Sequence, residues 1–234
     1  MRELVVGVDL VGTKILAGIA DSNGNILGKK RILTPVGADP DHVLDVIVDY
    51  ITELLRVYQV QKEEIRGVAV ATPGPLSFPE GVVRNSPNLG WQRVNLKQEL
   101  IRRTGRPIIV EKDTNMAVLG EYYFGRQRGC GDLLYITVST GVGGGVVCAG
   151  ELYRGHAGGA GEIGHMVVEA GGVTCNCGRQ GCLEALASGN AIARRLDEMV
   201  KQGQGQGILA CTTPGEQPGP RELGMAARQG DEEA

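Results

Sequence analysis

The chain has 234 residues, of which 42% are hydrophobic, so it carries enough apolar material for one large domain or two modest ones. Its net charge of −3 argues against a nucleic-acid partner held on a basic surface. The apolar runs have strand length, and none resembles a signal peptide or a membrane span. We therefore expect a cytoplasmic protein with no membrane partner, in which the six cysteines stay mostly reduced and favour metal binding over disulfides.

The N-terminal half alternates strand-length apolar runs with helical patterns, which is typical of an α/β fold. A capping aspartate followed by a proline, Asp39-Pro40, opens the first helix, whose apolar stripe extends to Tyr58. Asn95 is positioned to cap the second helix. The predicted strands are Leu4–Asp9, Ile15–Ala20, Ile26–Leu33, Gly67–Ala71 and Pro107–Val110, and the two further helices are Leu96–Thr104 and Thr114–Phe124.

The C-terminal half restarts the same pattern. Strand Leu133–Val138 is followed by the glycine turn STGVGGG and a strand at Val146–Cys148, which echoes the strand, glycine turn and strand of the N-terminus. Two such units predict two lobes facing a cleft, an N-terminal α/β lobe at residues 1–114 and a C-terminal one at 115–234. Helices are predicted at Leu183–Ala187, Asn190–Gln202 and from Arg221 onward, with no clear period in residues 203–220.

Both glycine turns have a composition that suits phosphate groups. The first presents Gly12, Thr13 and Lys14 just after Asp9, which could hold Mg²⁺ through water. The second, beginning at Thr140 and Gly141, would let backbone N–H groups approach a phosphate closely. The alternative is a plain β-hairpin for the first turn and a flexible turn for the second.

Asp113 comes directly after a buried strand, at the place where ligands sit in open α/β sheets. A carboxylate there could accept the proton of an attacking hydroxyl in phosphoryl transfer. The alternative is a helix N-cap or an acid in the first turn of the following helix, and both roles are compatible.

The segment from His156 to Glu184 has the composition of a metal site. His165 and three closely spaced cysteines provide the ligand set of a closed, four-coordinate structural zinc site, with ordinary thiols as the alternative. Glu162 and Glu184 flank these ligands and could hydrogen-bond substrate hydroxyls, or could be ordinary surface charges. The proposed zinc ligands are His165, Cys175, Cys177 and Cys182.

From about Leu4 to Gly203 the chain resembles the ROK family of repressors, open reading frames and sugar kinases, which have the two-lobed actin-like (ribonuclease H-like) sugar-kinase fold. The resemblance rests on DLVGTK, ATPGPL, NLGW, EKDTNMAVLGE, STGVGGG, GEIGH and CNCGRQGCLE. It implies that Asp113 is the general base toward a sugar 6-hydroxyl and that the four ligands above bind zinc. It also implies a sugar site lined by Gly74, Asn88, Glu162, His165 and Glu184, and an ATP-phosphate site formed by Asp9, Gly12, Thr13, Lys14, Thr140 and Gly141.

The resemblance thus implies a homodimeric, ATP-dependent and Mg²⁺-dependent hexose kinase, most similar to glucokinases. A non-catalytic sugar-binding or assembly module is the main alternative. A sugar-responsive repressor is disfavoured, because the first strand starts at Leu4 without room for a helix-turn-helix before it. Three departures from the family pattern stand out: Val11 replaces a usual glycine, Lys112 precedes Asp113 where many glucokinases have asparagine, and the family's pattern normally continues beyond Ala234, so we expect the second lobe to be incomplete.

Overall fold

The computed structural model describes residues 2–35, 37–86, 89–213, 215–232 and 234. The chain divides into two compact units: unit 1 comprises Met1–Leu134 and Gly145–Ala160, and unit 2 comprises Tyr135–Gly144 and Gly161–Ala234. The lobe division expected between residues 114 and 115 stays a prediction. Within the described residues, no helix has the combination of length and apolar character that a bilayer crossing requires.

Strands and helices follow the predicted order closely. Residues 4–124 contain β1 (Leu4–Leu10), β2 (Lys14–Asp21), β3 (Ile26–Leu33), α1 (Pro40–Val57), β4 (Ile65–Thr72), β5 (Leu76–Ser77), β6 (Val82–Ser86), β7 (Trp91–Asn95), α2 (Leu96–Thr104), β8 (Ile108–Lys112) and α3 (Asp113–Phe124). Residues 133–228 contain β9 (Leu133–Val138), β10 (Val142–Cys148), β11 (Glu151–Leu152), α4 (Leu183–Ala187), α5 (Gly189–Lys201), α6 (Gln206–Ala210) and α7 (Pro220–Arg228).

A five-stranded sheet in the order β3-β2-β1-β4-β8 forms the centre of unit 1. Strands β1, β2 and β3 are joined as two successive antiparallel hairpins, and β4 and β8 run parallel to β1. In this register Asp9 lies opposite Ala71, and Ala71 lies opposite Glu111. The carboxyl ends of β1, β4 and β8 therefore meet at one edge of the sheet.

Helix α1 packs against this sheet through its apolar stripe, and a capping residue fixes where the helix begins. The Asp39 side chain accepts a hydrogen bond from His42 N at 2.9 Å, and Pro40 occupies the first turn. Asn95 caps α2 in the same way, through Gln98 N. The buried face of α1 packs into one core with strand residues of the sheet; its buried members are Val43, Leu44, Ile47, Tyr50, Ile51, Leu54 and Leu55.

A small sheet in the order β5-β6-β7 lies between β4 and α2 in the chain, and the sequence pattern did not predict it. Its strands are short, and the burial along β6 does not alternate strictly, so the period-two signal is weak. Trp91 of β7 is 1% exposed and joins the main core of unit 1. This sheet therefore extends the core rather than forming a loop.

The predicted glycine turn at residues 139–145 is shorter than expected, because β10 already begins at Val142. The glycines inside β10 permit close backbone packing: a Cβ added to Gly144 would lie 2.8 Å from Gly161 O, and one added to Gly145 would overlap Thr114 O. They are therefore strand residues selected for lack of a side chain, and only residues 139–141 form the turn.

The C-terminal part of unit 2 is helical. Ser188 caps α5 by accepting a hydrogen bond from Ala191 N at 3.1 Å. The stretch without a clear period contains α6, which the sequence did not predict, and its Ile208 packs with Leu196 and Ala226 in a small core. Helix α7 starts at Pro220, one residue before the predicted start.

Candidate active site

Asp9 and Asp113 lie at the common carboxyl edge of the parallel strands in unit 1. Burial and the nearby charge of Asp113 raise the pKa of Asp9 above its usual range, while Lys14 opposes the shift. The two carboxylates are thus close enough to repel each other. Two neighbouring carboxylates at this edge of the sheet can attract a cation or accept a proton.

Asp113 is the first residue of α3, and Lys112 is the N-cap, so the alternative of an N-cap role for Asp113 is wrong. The Asp113 Oδ1 atom accepts a hydrogen bond from Thr114 N at 2.8 Å. Its place in the first turn puts its side chain at the positive end of the helix dipole. The hydrogen bond from Thr114 N therefore orients this carboxylate at the start of α3.

The turn between β1 and β2 is held from two sides. Val11 N donates to Lys14 O at 3.0 Å, and the buried Thr34 donates its hydroxyl to Val11 O at 2.7 Å. Among the described residues, the non-glycine residues with positive φ are Gln59, Arg93 and Ala149. Val11 is therefore not in the left-handed region, and its replacement of a glycine carries no backbone strain of that kind.

Glu111 forms a buried polar network beside Asp113 that the sequence pattern did not predict. Its side chain, 4% exposed, accepts hydrogen bonds from Lys112 N and Asn115 Nδ2 at 2.9 Å and from Arg154 Nε at 2.7 Å. Arg154 stacks on Phe78, with its Cζ 3.8 Å from the ring centroid. The sequence does offer one signal for this network: Glu111 stands at the end of an apolar strand, and a buried carboxylate needs hydrogen-bond or ion-pair partners.

Lys112, which the sequence left unassigned, is buried at the same corner. Its ammonium group donates to Ala160 O at 3.5 Å. Glu111 and Lys112 together fasten the chain segment that contains Arg154 and Ala160 to the end of β8. The corner between β8 and α3, which carries Asp113, is therefore fixed by two charged neighbours in sequence.

Gly74 and Asn88 were predicted to line a sugar site. Gly74 follows β4 at the carboxyl edge with φ of 95°, and an added Cβ would overlap Asn85 O, so this position requires glycine. Asn88 lies outside the described residues.

The predicted metal ligands of unit 2 converge. One ligand atom from each of His165, Cys175, Cys177 and Cys182 lies within 4.8 Å of the others. Cys175 Sγ is 3.7 Å from His165 Nδ1, and Cys177 Sγ is 3.7 Å from Cys182 Sγ. With Zn–S bonds of about 2.3 Å, a tetrahedral site places its ligand atoms roughly 3.8 Å apart. The residues present therefore fit a four-coordinate metal ion.

The acid–base properties of the cysteines differ within this cluster. Hydrogen bonds from Arg179 lower the pKa of the Cys177 thiol to about 6, whereas burial raises the pKa of Cys182 to about 11. A metal ion must displace the proton of Cys182 when it binds, so metal affinity should fall with decreasing pH.

His165 has its two ring nitrogens in different surroundings. Nδ1 faces the sulfur atoms, and Nε2 lies 3.9 Å from Glu162 Oε2, beyond hydrogen-bond distance. One nitrogen can thus bind metal while the other remains available for a polar partner.

The second glycine turn contacts Glu184 directly. Val142 N donates to Glu184 Oε2 at 2.9 Å, and Ser139 O and Thr140 O accept from the first residues of α5 at 2.7 and 3.3 Å. The predicted sugar ligand Glu184 and the predicted phosphate-turn residues Thr140 and Gly141 are therefore neighbours within unit 2.

Comparison with known families decides the relationship: residues 5–234 match the model of the ROK family. The chain belongs to the ROK family. The glucokinase of Thermotoga maritima is 40% identical to it over 228 residues, which is 97% of this chain and 70% of that protein.

Solved ROK structures agree. The ROK hexokinase from Thermus thermophilus is 37% identical with a TM-score of 0.78, and this chain covers 70% of it. The ROK glucokinase from Streptomyces griseus, solved in complex with glucose and AMPPNP, is 33% identical with a TM-score of 0.82 and is covered to 72%. In both comparisons, 98% of this chain is matched. This ROK chain thus has the two-lobed actin-like α/β fold of the sugar kinases.

Proposed function

We propose that this ROK chain is an ATP-dependent hexose kinase that phosphorylates the 6-hydroxyl of glucose. The observation that carries the proposal is the position of Asp113, at the carboxyl end of β8 and close enough to Asp9 to raise its pKa. The 40% identity to a glucokinase supports glucose as the acceptor and ATP as the donor.

In the proposed reaction Asp113 is the general base. The hydrogen bond from Thr114 N to Oδ1 orients this carboxylate, which receives the proton of the sugar hydroxyl. The hydroxyl oxygen then bonds to the γ-phosphorus, the bond to the β–γ bridging oxygen breaks, and ADP leaves. Glu111 and Lys112 keep the corner that carries this carboxylate fixed while the proton moves.

The donor side of the site consists of the two glycine turns. Gly12, Thr13 and Lys14 of the first turn, and Thr140 and Gly141 of the second, would face the phosphates of ATP. Asp9 would bind the Mg²⁺ that accompanies ATP, through water. Backbone N–H groups and the Lys14 ammonium would neutralise charge that develops on the phosphates.

The acceptor side consists of polar groups that hydrogen-bond sugar hydroxyls: Gly74, Asn88, Glu162, His165 and Glu184. Zinc would be held by His165 Nδ1 and the thiolates of Cys175, Cys177 and Cys182. With four protein ligands it supplies cross-linking rather than chemistry. The 3.9 Å distance between His165 Nε2 and Glu162 Oε2 supports a shared role for the two side chains on one sugar hydroxyl.

We also propose that the kinase acts in the cytoplasm as a homodimer. ATP supply and reduced thiolates both fit that compartment. The exposed aromatic side chains of Tyr123 and Phe124, 54% and 58% exposed, support self-association. Light scattering after size exclusion should give twice the mass of one chain, and the mass of a single chain would contradict the dimer.

A coupled assay of ADP release with ATP, Mg²⁺ and a panel of hexoses tests the function. We expect glucose to give the highest kcat/KM, with fructose and N-acetylated hexosamines lower. Sugar binding by calorimetry without ADP release for any sugar would contradict the kinase proposal and favour a non-catalytic sugar-binding module.

A further inference from the structure

Glu184 contacts the backbone of the second glycine turn rather than only facing solvent. Its Oε2 accepts a hydrogen bond from Val142 N at 2.9 Å, and Val142 is buried. A Cβ added to Gly141 would overlap the same oxygen. The carboxylate therefore lies directly against the peptide groups where the turn joins β10.

The opposite side of this peptide is also occupied. A Cβ added to Gly164 would overlap Val142 O, so the GEIGH segment packs its backbone against the carbonyl of Val142. The N–H of Val142 is held by Glu184, and the carbonyl is covered by Gly164. The entry of β10 thus has contacts on both sides within unit 2.

Both contacts originate next to the metal-binding cluster. Gly164 precedes the ligand His165, and Glu184 follows the ligand Cys182 by two residues. Leu183 N donates to Met166 O at 2.9 Å, and Cys182 pairs with Val167 in an isolated bridge. The two segments that hold Val142 are therefore joined to each other at the cluster.

We propose that Glu184 is a positioning residue for the turn at residues 139–142, and that the metal-binding cluster controls the conformation of this turn through Glu184. The inference rests on the proposed function, in which the turn faces the phosphates of ATP. Glu184 then acts on both substrates, because one carboxylate oxygen holds the turn and the other is left for a sugar hydroxyl. Loss of metal weakens nucleotide binding as well as sugar binding.

Hydrogen exchange of the Val142 amide measures the contact without catalysis. In Glu184→Ala the amide loses its acceptor, so we expect exchange at least roughly tenfold faster and a similar loss of MgATP affinity without sugar. Glu184→Gln keeps a carbonyl acceptor and should exchange like the parent. Glu162→Ala is the matched control: it removes another predicted sugar ligand, which should weaken glucose binding and leave the Val142 amide and MgATP binding unchanged.

Unchanged Val142 exchange in Glu184→Ala, or equal acceleration in Glu162→Ala, would overturn the positioning role. If Glu184→Ala does not fold, Glu184→Asp replaces it, since its shortened side chain cannot reach Val142 N. Equal exchange in the Asp and Gln variants would then overturn the role.

Removal of metal with a chelator should accelerate Val142 exchange in the otherwise unaltered chain, and unchanged exchange would overturn the link to the cluster. Failure of the proposed function would look different: the unaltered chain would protect Val142 and yet transfer no phosphate to any sugar.

Discussion

Replacing Arg154 with methionine tests whether the ion pair with Glu111 fixes the corner that carries Asp113. Arg154 Nε lies 2.7 Å from Glu111 Oε2, and its guanidinium stacks on Phe78. Methionine keeps apolar contact with the ring but cannot donate. Glu111, 4% exposed, would then keep the hydrogen bonds that its Oε1 accepts from Lys112 N and Asn115 Nδ2, while its Oε2 would lose its ion pair with Arg154.

The expected loss of folding free energy follows from how deeply Glu111 and Arg154 are buried. Breaking a buried ion pair by removing one partner costs about 3–5 kcal/mol, because a buried charge is left uncompensated. Arg154 is 33% exposed, so water already screens part of the interaction, and we expect a loss of about 2–3 kcal/mol. Glu111→Gln removes the charge that needs the cation. The double variant should therefore be more stable than the sum of the single losses predicts, by roughly 1–2 kcal/mol.

Urea denaturation followed by tryptophan fluorescence measures this loss in unit 1, because the single tryptophan, Trp91, is buried in its core. Arg66→Met is the matched control: Arg66 pairs with Glu3 on the surface, and its loss should cost less than about 1 kcal/mol. If Arg154→Met costs no more than Arg66→Met, or if the Glu111 and Arg154 losses simply add, the pair does not fix the corner.

Three further predictions concern the metal, a glycine and a carboxylate. Elemental analysis should find near-equimolar zinc in the parent chain and little in Cys177→Ser, which should also melt at a lower temperature; full zinc content in the variant would exclude this thiol as a ligand. Gly145→Ala should cost about 1–3 kcal/mol in urea denaturation because its Cβ overlaps Thr114 O, whereas Gly120→Ala, which meets open space within α3, should gain up to about 1 kcal/mol; equal effects would contradict the packing. Burial and Asp113 raise the pKa of Asp9, so the folded chain binds this proton more tightly than the unfolded chain, and ionised Asp9 opposes folding. Asp9→Asn should therefore raise Tm at neutral pH, with the gain fading below about pH 4, and a lower Tm at neutral pH would contradict that reasoning.

Local patterns predicted the elements whose signals are contained within a few residues. Asp39-Pro40 and Asn95 set the starts of α1 and α2, because a capping side chain acts within one helical turn. The strand Ile26–Leu33 also has the predicted bounds. The metal cluster was predictable for the same reason, since its ligands span only residues 165–182.

Contacts between distant residues were not predictable. Glu111 and Arg154 are separated by 43 positions, and Glu184 and Val142 by 42, so only the fold brings each pair together. The sequence predicts a phosphate-facing turn for the glycines of β10, because composition alone does not distinguish a turn glycine from one that close packing in a strand requires. The predicted roles of Asp113 and the other site residues remain predictions that depend on experiment.

Steady-state kinetics of Asp113→Asn, with glucose and MgATP binding measured by calorimetry on the same protein, is the most direct test of the proposed mechanism. Asparagine is isosteric and cannot accept the hydroxyl proton, so kcat should fall by about 10²- to 10⁴-fold while both ligands still bind. A variant that binds both ligands and retains the kcat of the parent chain would show that Asp113 is not the base.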